Sequence, residues 1–406
     1  MSNQFEFVGK LNIAKESEKF KPYEKKEFAS SGWVSTSLKF NVIAGCNRHM
    51  LSISGGNFKD GHGDVYSYTK NGVDSKGNKV KGKPLTIPFK DRLTSPKLIE
   101  VAEFKKFVID TEEPNRRYLL EKALEKVKEG TELTDAQLLE VGVELVGELQ
   151  EAFDKSCKKR HEFISEVDFV DFIKKVIDSE KYKDRLFKVL GNVDVTLSKK
   201  NQKFYTNYIP SRIYLAKVDD TPSSTGSFTL YYNKEGLDDG SVAEKGKYYI
   251  NGYTLEYDKD RKSNIPCPIT VVLPSGTDEK SEKIAKIYVN QFTVSDDSWK
   301  EIGVKINILN GAQKAEITED MLTDLEQELL MLGEITMDDI RKEMGKDVYG
   351  ERVQENEITG LAKGYLKGCK PTVYIDEDFI VKPIESDIPD ESSDAPNLFP
   401  DDEDEI

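Results

Sequence analysis

The chain has 406 residues, is 37% apolar and 33% charged, and carries a formal net charge of -15. No stretch approaches the roughly 20 apolar residues of a membrane-spanning helix, and the length exceeds one ordinary domain. The opening "MSNQFEFVGK" lacks the layout of a secretory signal, and Cys46, Cys157, Cys267 and Cys369 form no CxxC pair, so reduced thiols in the cytoplasm are expected.

The negative total hides a segregated charge. Residues 1–100 hold 17 Lys/Arg against 10 Asp/Glu, and residues 182–217 hold eight against two. Residues 385–406 hold ten acids and no base. Fields act locally, over a screening length of about 10 Å at 0.1 M salt, so two basic segments and one acidic end act separately.

In chain order, residues 1–110 read as strands and loops. "FEFVGKLNI" alternates apolar Phe5, Phe7, Leu11 and Ile13 with polar neighbours, and Gly9 on the apolar face signals a bulge or bend. "STSLKFNVI" and "RHMLSIS" predict a hairpin with Leu38, Phe40 and Val42 inward. A Gly-rich link leads to "VYSYT" and then to a loop over 70–83 with five lysines and one aspartate. Residues 111–181 read as a helical block, with Thr134 and Ser165 as N-caps.

At 187–195 the opening pattern returns: Phe187, Val189, Gly191, Val193 and Val195 overlay Phe5, Phe7, Gly9, Leu11 and Ile13. A basic-aromatic stretch and another strand follow in both places, which predicts a duplicated β-module. After a spacer near Thr221–Gly226, strands are expected at "SFTLYYN", "KYYINGYTLEYD", "CPITVVLP", "AKIYVNQFTV" and "IGVKINIL", helices after Thr318 and Thr336, and a last strand or hairpin at "TVYIDEDFIVKP". The expected units are 1–110, 111–181, 182–317, 318–383 and a disordered acidic tail, 384–406.

Signatures of catalysis are scarce. The chain has no GxxxxGK[ST], no GxGxxG after a strand, no GxSxG and no HExxH, and three histidines. No cofactor or enzyme activity is expected. Asp60, His62 and Asp64 sit in a Gly-rich stretch that reads first as a turn. Cys46–His49 and Cys157–His161 have metal-like spacing, but core packing is the plainer reading.

Single-stranded nucleic acid asks for a basic groove and aromatic faces on which bases stack. The first module offers Phe20, Lys21, Tyr23, Lys25 and Lys26 in a loop, then Trp33, Lys39 and Arg48 on outward strand faces, then Lys76, Lys79, Lys81 and Lys83. The second offers Lys199, Lys200, Lys203, Phe204 and Tyr205, with Tyr208, Arg212 and Tyr214 opposite an inward face of Ile209, Ile213 and Leu215. Strands are rich in aromatics for structural reasons alone; the signal is the coincidence of both residue types in both segments.

The strand "FVGKLNI", the basic-aromatic loop, "SLKFNV" and the acidic end resemble OB-fold single-stranded DNA-binding proteins, and among these the large, multi-module phage type. The resemblance covers roughly 1–95, 182–235 and the tail. It implies an α+β, mostly β fold: two OB-like β-barrel modules, or three, with a helical insert and a disordered acidic tail. It further implies coating of single-stranded DNA in replication and recombination, in the host cytoplasm if the chain is phage-encoded. A tail of this kind recruits replication or recombination proteins; here the candidate contacts are Leu398, Phe399, Asp401, Asp402, Glu403, Asp404, Glu405 and Ile406. The Leu398-Phe399-Pro400 step precedes the acids rather than following them, which departs from the bacterial pattern. The competing readings are a phage structural or assembly protein, and an acidic decoy of a DNA-binding enzyme.

Overall fold

A computed structural model of the chain describes residues 3–73, 77–242, 246–273, 279–314, 322–336 and 349–381. Lys76, residues 319–321 at the start of the helix expected after Thr318, the helix expected after Thr336, and the acidic tail fall outside these residues.

Strands β1 (Gln4–Asn12), β2 (Tyr23–Phe28), β3 (Trp33–Ala44) and β4 (Asn47–Phe58) open the chain. The β3–β4 hairpin turns at Gly45, whose φ of 63° favours glycine. Leu38, Phe40 and Val42 are buried, as their alternation predicts. An arm of four short strands follows: β5 (Asp64–Tyr68), β6 (Gly72–Val73), β7 (Lys79–Val80) and β8 (Pro84–Pro88), with β5 on β8 and β6 on β7.

The expected helical block contains α1 (Arg116–Lys128), α2 (Asp135–Val141), α3 (Leu149–Cys157) and α4 (Glu166–Ile177), flanked and interrupted by the paired strands β9 (Phe107–Asp110) and β10 (Arg160–Phe163). Thr134 caps α2 through a capping box, and Gly142, at φ 69°, ends it.

Then come β11 (Leu186–Leu197), β12 (Phe204–Leu215), β13 (Ser223–Tyr232), β14 (Leu237–Asp238), β15 (Tyr249–Asp258), β16 (Ser263–Val272), β17 (Lys300–Lys314), β18 (Tyr349–Leu361) and β19 (Lys370–Pro371). Three local expectations are corrected. "AKIYVNQFTV" lies mostly in the helix Glu279–Phe292, because Ala285, Tyr288, Val289 and Phe292 share one face at a spacing of three to four. "TVYIDEDFIVKP" forms a 3-10 turn at Asp376–Phe379 rather than a strand. The helix expected after Thr318 spans Asp324–Met331 and is capped by Thr323, whose hydroxyl accepts from the Glu326 amide.

The pairings close two rings. The first runs β1–β3–β4–β12–β11 and returns to β1; every junction is antiparallel except the single parallel bridge Leu51 to Tyr208. The second runs β13–β15–β16–β18–β17 and returns to β13, again with one parallel junction, Val272 to Glu357. In chain order both rings have the same strand sequence, and each has a helix immediately before its fourth strand: α4 and Glu279–Phe292. The repeat at Phe187–Val195 therefore does not open a separate ring. It is the fourth strand of the first ring, lying against β1, and the second ring begins at Ser223.

The rings share one core and join edge to edge where β1 pairs β13. Phe169, Val170, Ile173 and Val176 of α4 are buried in that core, each stabilising by roughly 1.5–3 kcal/mol. Residues of α1–α3 make a separate small core around Leu120, Leu138 and Leu149. Among the described residues no helix is long and apolar enough to cross a membrane.

Candidate nucleic-acid interface

The outward face of β3 and β4 is set by the period of two. Cross-strand pairs along it are Trp33–Phe58, Ser35–Gly56, Ser37–Ser54, Lys39–Ser52 and Asn41–Met50. Large rings stand at one end, and serines and a glycine form a flat floor between. Trp33 meets Phe58 edge-on at 5.1 Å, and Phe58 stacks on His62 at 3.9 Å. A Cβ at Gly56 would sit 2.3 Å from the Trp33 ring, so glycine is what lets the indole lie across the strand.

The loop and β2 that follow β1 wall this face. Lys39 lies 5.5 Å from the Phe20 ring centroid, and burial pushes its ammonium below the ordinary lysine range. Lys26 lies over Phe28, and Lys21 is exposed. Tyr23 and Lys25 are tied down differently: both hydrogen-bond the Asp171 carboxylate of α4 at 2.8 Å. That hydrogen bond raises the Lys25 pKa, whereas burial first and Asp171 second raise that of Tyr23.

At the far end the face opens into a cleft of about 720 Å³ between the rings. Met50 and Ser52 enter it from β4, Phe204, Tyr205, Asn207 and Tyr208 from β12, and Tyr249, Asn310, Gln354 and Asn356 from the second ring. Residues from the two basic segments thus share one cavity. Arg48 lies two residues from Met50 on the same face, and its carbonyl accepts from the Asn310 amide at 2.8 Å. The loop Ser198–Lys203 brings Lys199, Lys200 and Lys203 to the base of β12, where Lys199 pairs with Asp260 at 2.9 Å.

Other expected contacts are oriented or placed differently, although Tyr208 still borders the cleft. Tyr208 was expected outward, but Ser211 is an extra residue between Pro210 and Arg212 opposite β11, and this bulge reverses the face of the strand before it. The Tyr208 ring packs edge-on against Phe5, Phe7 and His49, and burial pushes its pKa up to about 12. Ile209, expected inward, is only partly buried. Arg212 and Tyr214 lie alongside β9, where Arg212 donates to the Glu103 carbonyl and Tyr214 lines a separate pocket of about 490 Å³. Lys79, Lys81 and Lys83 are exposed on the arm.

Sequence reasoning missed Phe58, His62 and the amides of the cleft. The serine floor was visible as Ser35, Ser37, Ser52 and Ser54 at every second place; the amides come from strands far apart in the chain. The Cys/His pairs stay apart from one another. His49 stacks on Phe7 at 4.1 Å in the core with Nε2 2.8 Å from Ser224 Oγ, while His161 lies against Phe172. Among the described residues no group of three or more His, Cys, Asp or Glu is arranged to hold a metal.

No protein-family profile matches the chain, and no curated protein matches it. Among solved structures it is similar to a deletion mutant of the single-stranded DNA binding protein from Thermus aquaticus. The identity is 8%, the match covers 75% of this chain and 85% of that one, and the TM-score is 0.25. A TM-score of that size carries no argument about this chain.

Proposed function

We propose that this chain is a non-catalytic single-stranded DNA-binding protein whose two rings are OB-type barrels. The ring topology supports the barrel reading: five strands closed by one parallel junction, with a helix before the fourth. OB barrels bind oligonucleotides on their second and third strands, flanked by the loops between strands one and two and between strands four and five. In the first ring those parts are β3, β4, the segment 13–32 and the loop Ser198–Lys203. These are the parts that carry Phe20, Lys21, Lys26, Trp33, Lys39, Arg48, Lys199, Lys200 and Lys203, and Phe204 and Tyr205 open β12 directly after that loop.

The observation that carries the reading is the continuity of one path. An aromatic end at Trp33 and Phe58, a serine floor and a cleft with aromatic walls follow one another, with lysines on both flanks. Unpaired bases have π-faces to stack there, and a duplex has none to offer. The cleft's amides and hydroxyls suit base edges rather than phosphates, and Glu355, which also lines it, is paired with Lys247 at 2.6 Å.

The acidic tail enters on charge alone. Ten acids tethered to a basic surface act at an effective concentration of about mM, so the tail competes with DNA and remains available to replication or recombination proteins. The reading further places the chain in the cytoplasm, in DNA replication or recombination, with a phage origin suggested by its size and insert.

Anisotropy of a labelled strand of about 30 nucleotides, and of its duplex, tests the proposal. Preference for the single strand, weakened by salt as counterion release requires, supports it. Equal binding of both forms, or of neither, refutes it.

A further inference from the structure

Three exposed rings stand on the arm that follows β4 and on the turn beside it: Tyr66 is 79% exposed, Phe104 70% and Tyr68 43%. Large rings left in water side by side need a physical reason, because each forgoes the burial energy a core position would supply. The arm has its own packing. Val65, Leu85 and Ile87 point the other way and meet Val101, Leu98 and Ile164. Tyr66 and Tyr68 are therefore outward by the period of the strand, not through failure to fold.

Backbone bonds fix the third ring beside them. The Ala102 amide donates to the Tyr68 carbonyl at 2.8 Å, and the Lys70 amide to the Glu100 carbonyl at 2.8 Å. These bonds seat the 3-10 turn Glu103–Lys105 at the end of β5. Lys105 Nζ consequently lies 5.5 Å from the Tyr68 ring and 5.9 Å from the Phe104 ring. Gly82 is needed for the fit: a Cβ there would meet the Thr69 carbonyl oxygen at 1.9 Å.

Charge selects among ligands. Residues 59–106 hold 11 Lys/Arg against six Asp/Glu. Lys106 is committed to Glu103 and Glu162, but Lys81, Lys83 and Lys105 have no carboxylate within ion-pair distance among the described residues. Exposed rings bearing uncommitted lysines fit a single-stranded polyanion better than an apolar protein surface. The arm also adjoins the aromatic end of the β3–β4 face. The Phe89 amide donates to the Gly63 carbonyl at 2.9 Å, and Phe58 stacks on His62.

We propose that Tyr66, Tyr68, Phe104 and Lys105 form a second stacking site for single-stranded nucleic acid, continuing the path beyond Trp33 and Phe58. The inference rests on the single-strand reading above and assigns a site to that same ligand.

The test uses the full chain, a Y66A/Y68A/F104A variant and K105E. These side chains face solvent, and the thermal melt checks that folding is kept. Labelled strands of about 8 and about 30 nucleotides are titrated into each, and ultraviolet cross-links to the longer strand are mapped by mass spectrometry. The triple variant should bind the long strand about tenfold more weakly and the short strand unchanged, and cross-links should fall on Tyr66, Tyr68 or Phe104. Unchanged long-strand affinity, with the unaltered chain still binding, overturns the arm site alone. Equal loss on both strands also overturns it as a separate site. No binding by the unaltered chain overturns both readings. A change in sedimenting mass without a change in strand affinity reassigns the patch to a protein contact.

Discussion

Phe7 and Val189 face each other across β1 and β11, at the centre of a symmetric register in which Phe5 opposes Gly191 and Gly9 opposes Phe187. These are the positions that repeat in the sequence. The repeat thus marks two antiparallel neighbours related by a local two-fold relation, each with a glycine where another strand crosses closely.

That closeness predicts a cost. A Cβ on Gly9 would lie 2.4 Å from the Ile43 carbonyl oxygen, and one on Gly191 2.0 Å from that of Ile209. Backbone cannot step aside as a side-chain tip can. G9A and G191A should each destabilise by about 3 kcal/mol in urea unfolding, whereas G130A, with open space around its Cβ position but φ 80°, should cost only about 1 kcal/mol.

His49 and Glu256 give pH dependences of opposite sign. Burial holds His49 down to about 4, so the unfolded chain binds the extra proton between pH 4 and the ordinary imidazole value of about 6.5. Its contribution is complete above pH 6.5 and falls by roughly 3 kcal/mol as pH drops to 4. Burial raises Glu256 to about 7, against the hydrogen bond from Asn3. Its contribution is present below the ordinary glutamate range and is lost as pH rises to 7. Removing one member should unmask the other: relative to the unaltered chain, H49Q stability should tilt downward with rising pH between 4 and 6.5, and E256Q upward over about pH 4.5–7. Parallel pH profiles for all three chains would contradict this.

Asp171 accepts from both Lys25 and Tyr23 at 2.8 Å and neutralises the lysine charge locally. D171N keeps a hydrogen-bond partner for Tyr23 but releases the lysine charge. Affinity for a single strand should rise about threefold, and the slope of log affinity against log salt should steepen by about 0.7, one phosphate's worth.

Truncation at Pro383 removes the ten acids that follow. Strand affinity should rise, most at low salt where tail and groove attract most strongly. Identical affinity and salt slope with and without the tail would remove it from the account.

Much of this was legible in single residues. The β3–β4 hairpin followed from alternation, and the Thr134 cap from its type and place. The rings were not legible, because closure depends on β4 meeting β12 more than 150 positions away, and no local pattern records a partner. Tyr208 misled because one bulged serine reverses a face without altering the composition of the strand. The helix Glu279–Phe292 misled because Ile, Tyr and Val favour strands on composition, while their three-to-four spacing decides otherwise. β18 passed unnoticed because "YGERVQENEITGL" is mostly polar; it is held by its long pairing with β17, by the bridge to β16 and by Ile358 in the core.

The central claim is that bases stack on the β3–β4 face, and Trp33 reports on it directly. The only other tryptophan, Trp299, is 6% exposed and stacks on Phe379 at 3.6 Å. The W299F chain should therefore be titrated with a single strand of about 30 nucleotides while Trp33 emission is followed at two salt concentrations. The account predicts saturable quenching that weakens with salt and is absent with duplex. A strand that binds by anisotropy but leaves Trp33 unquenched, or that does not bind at all, would contradict it.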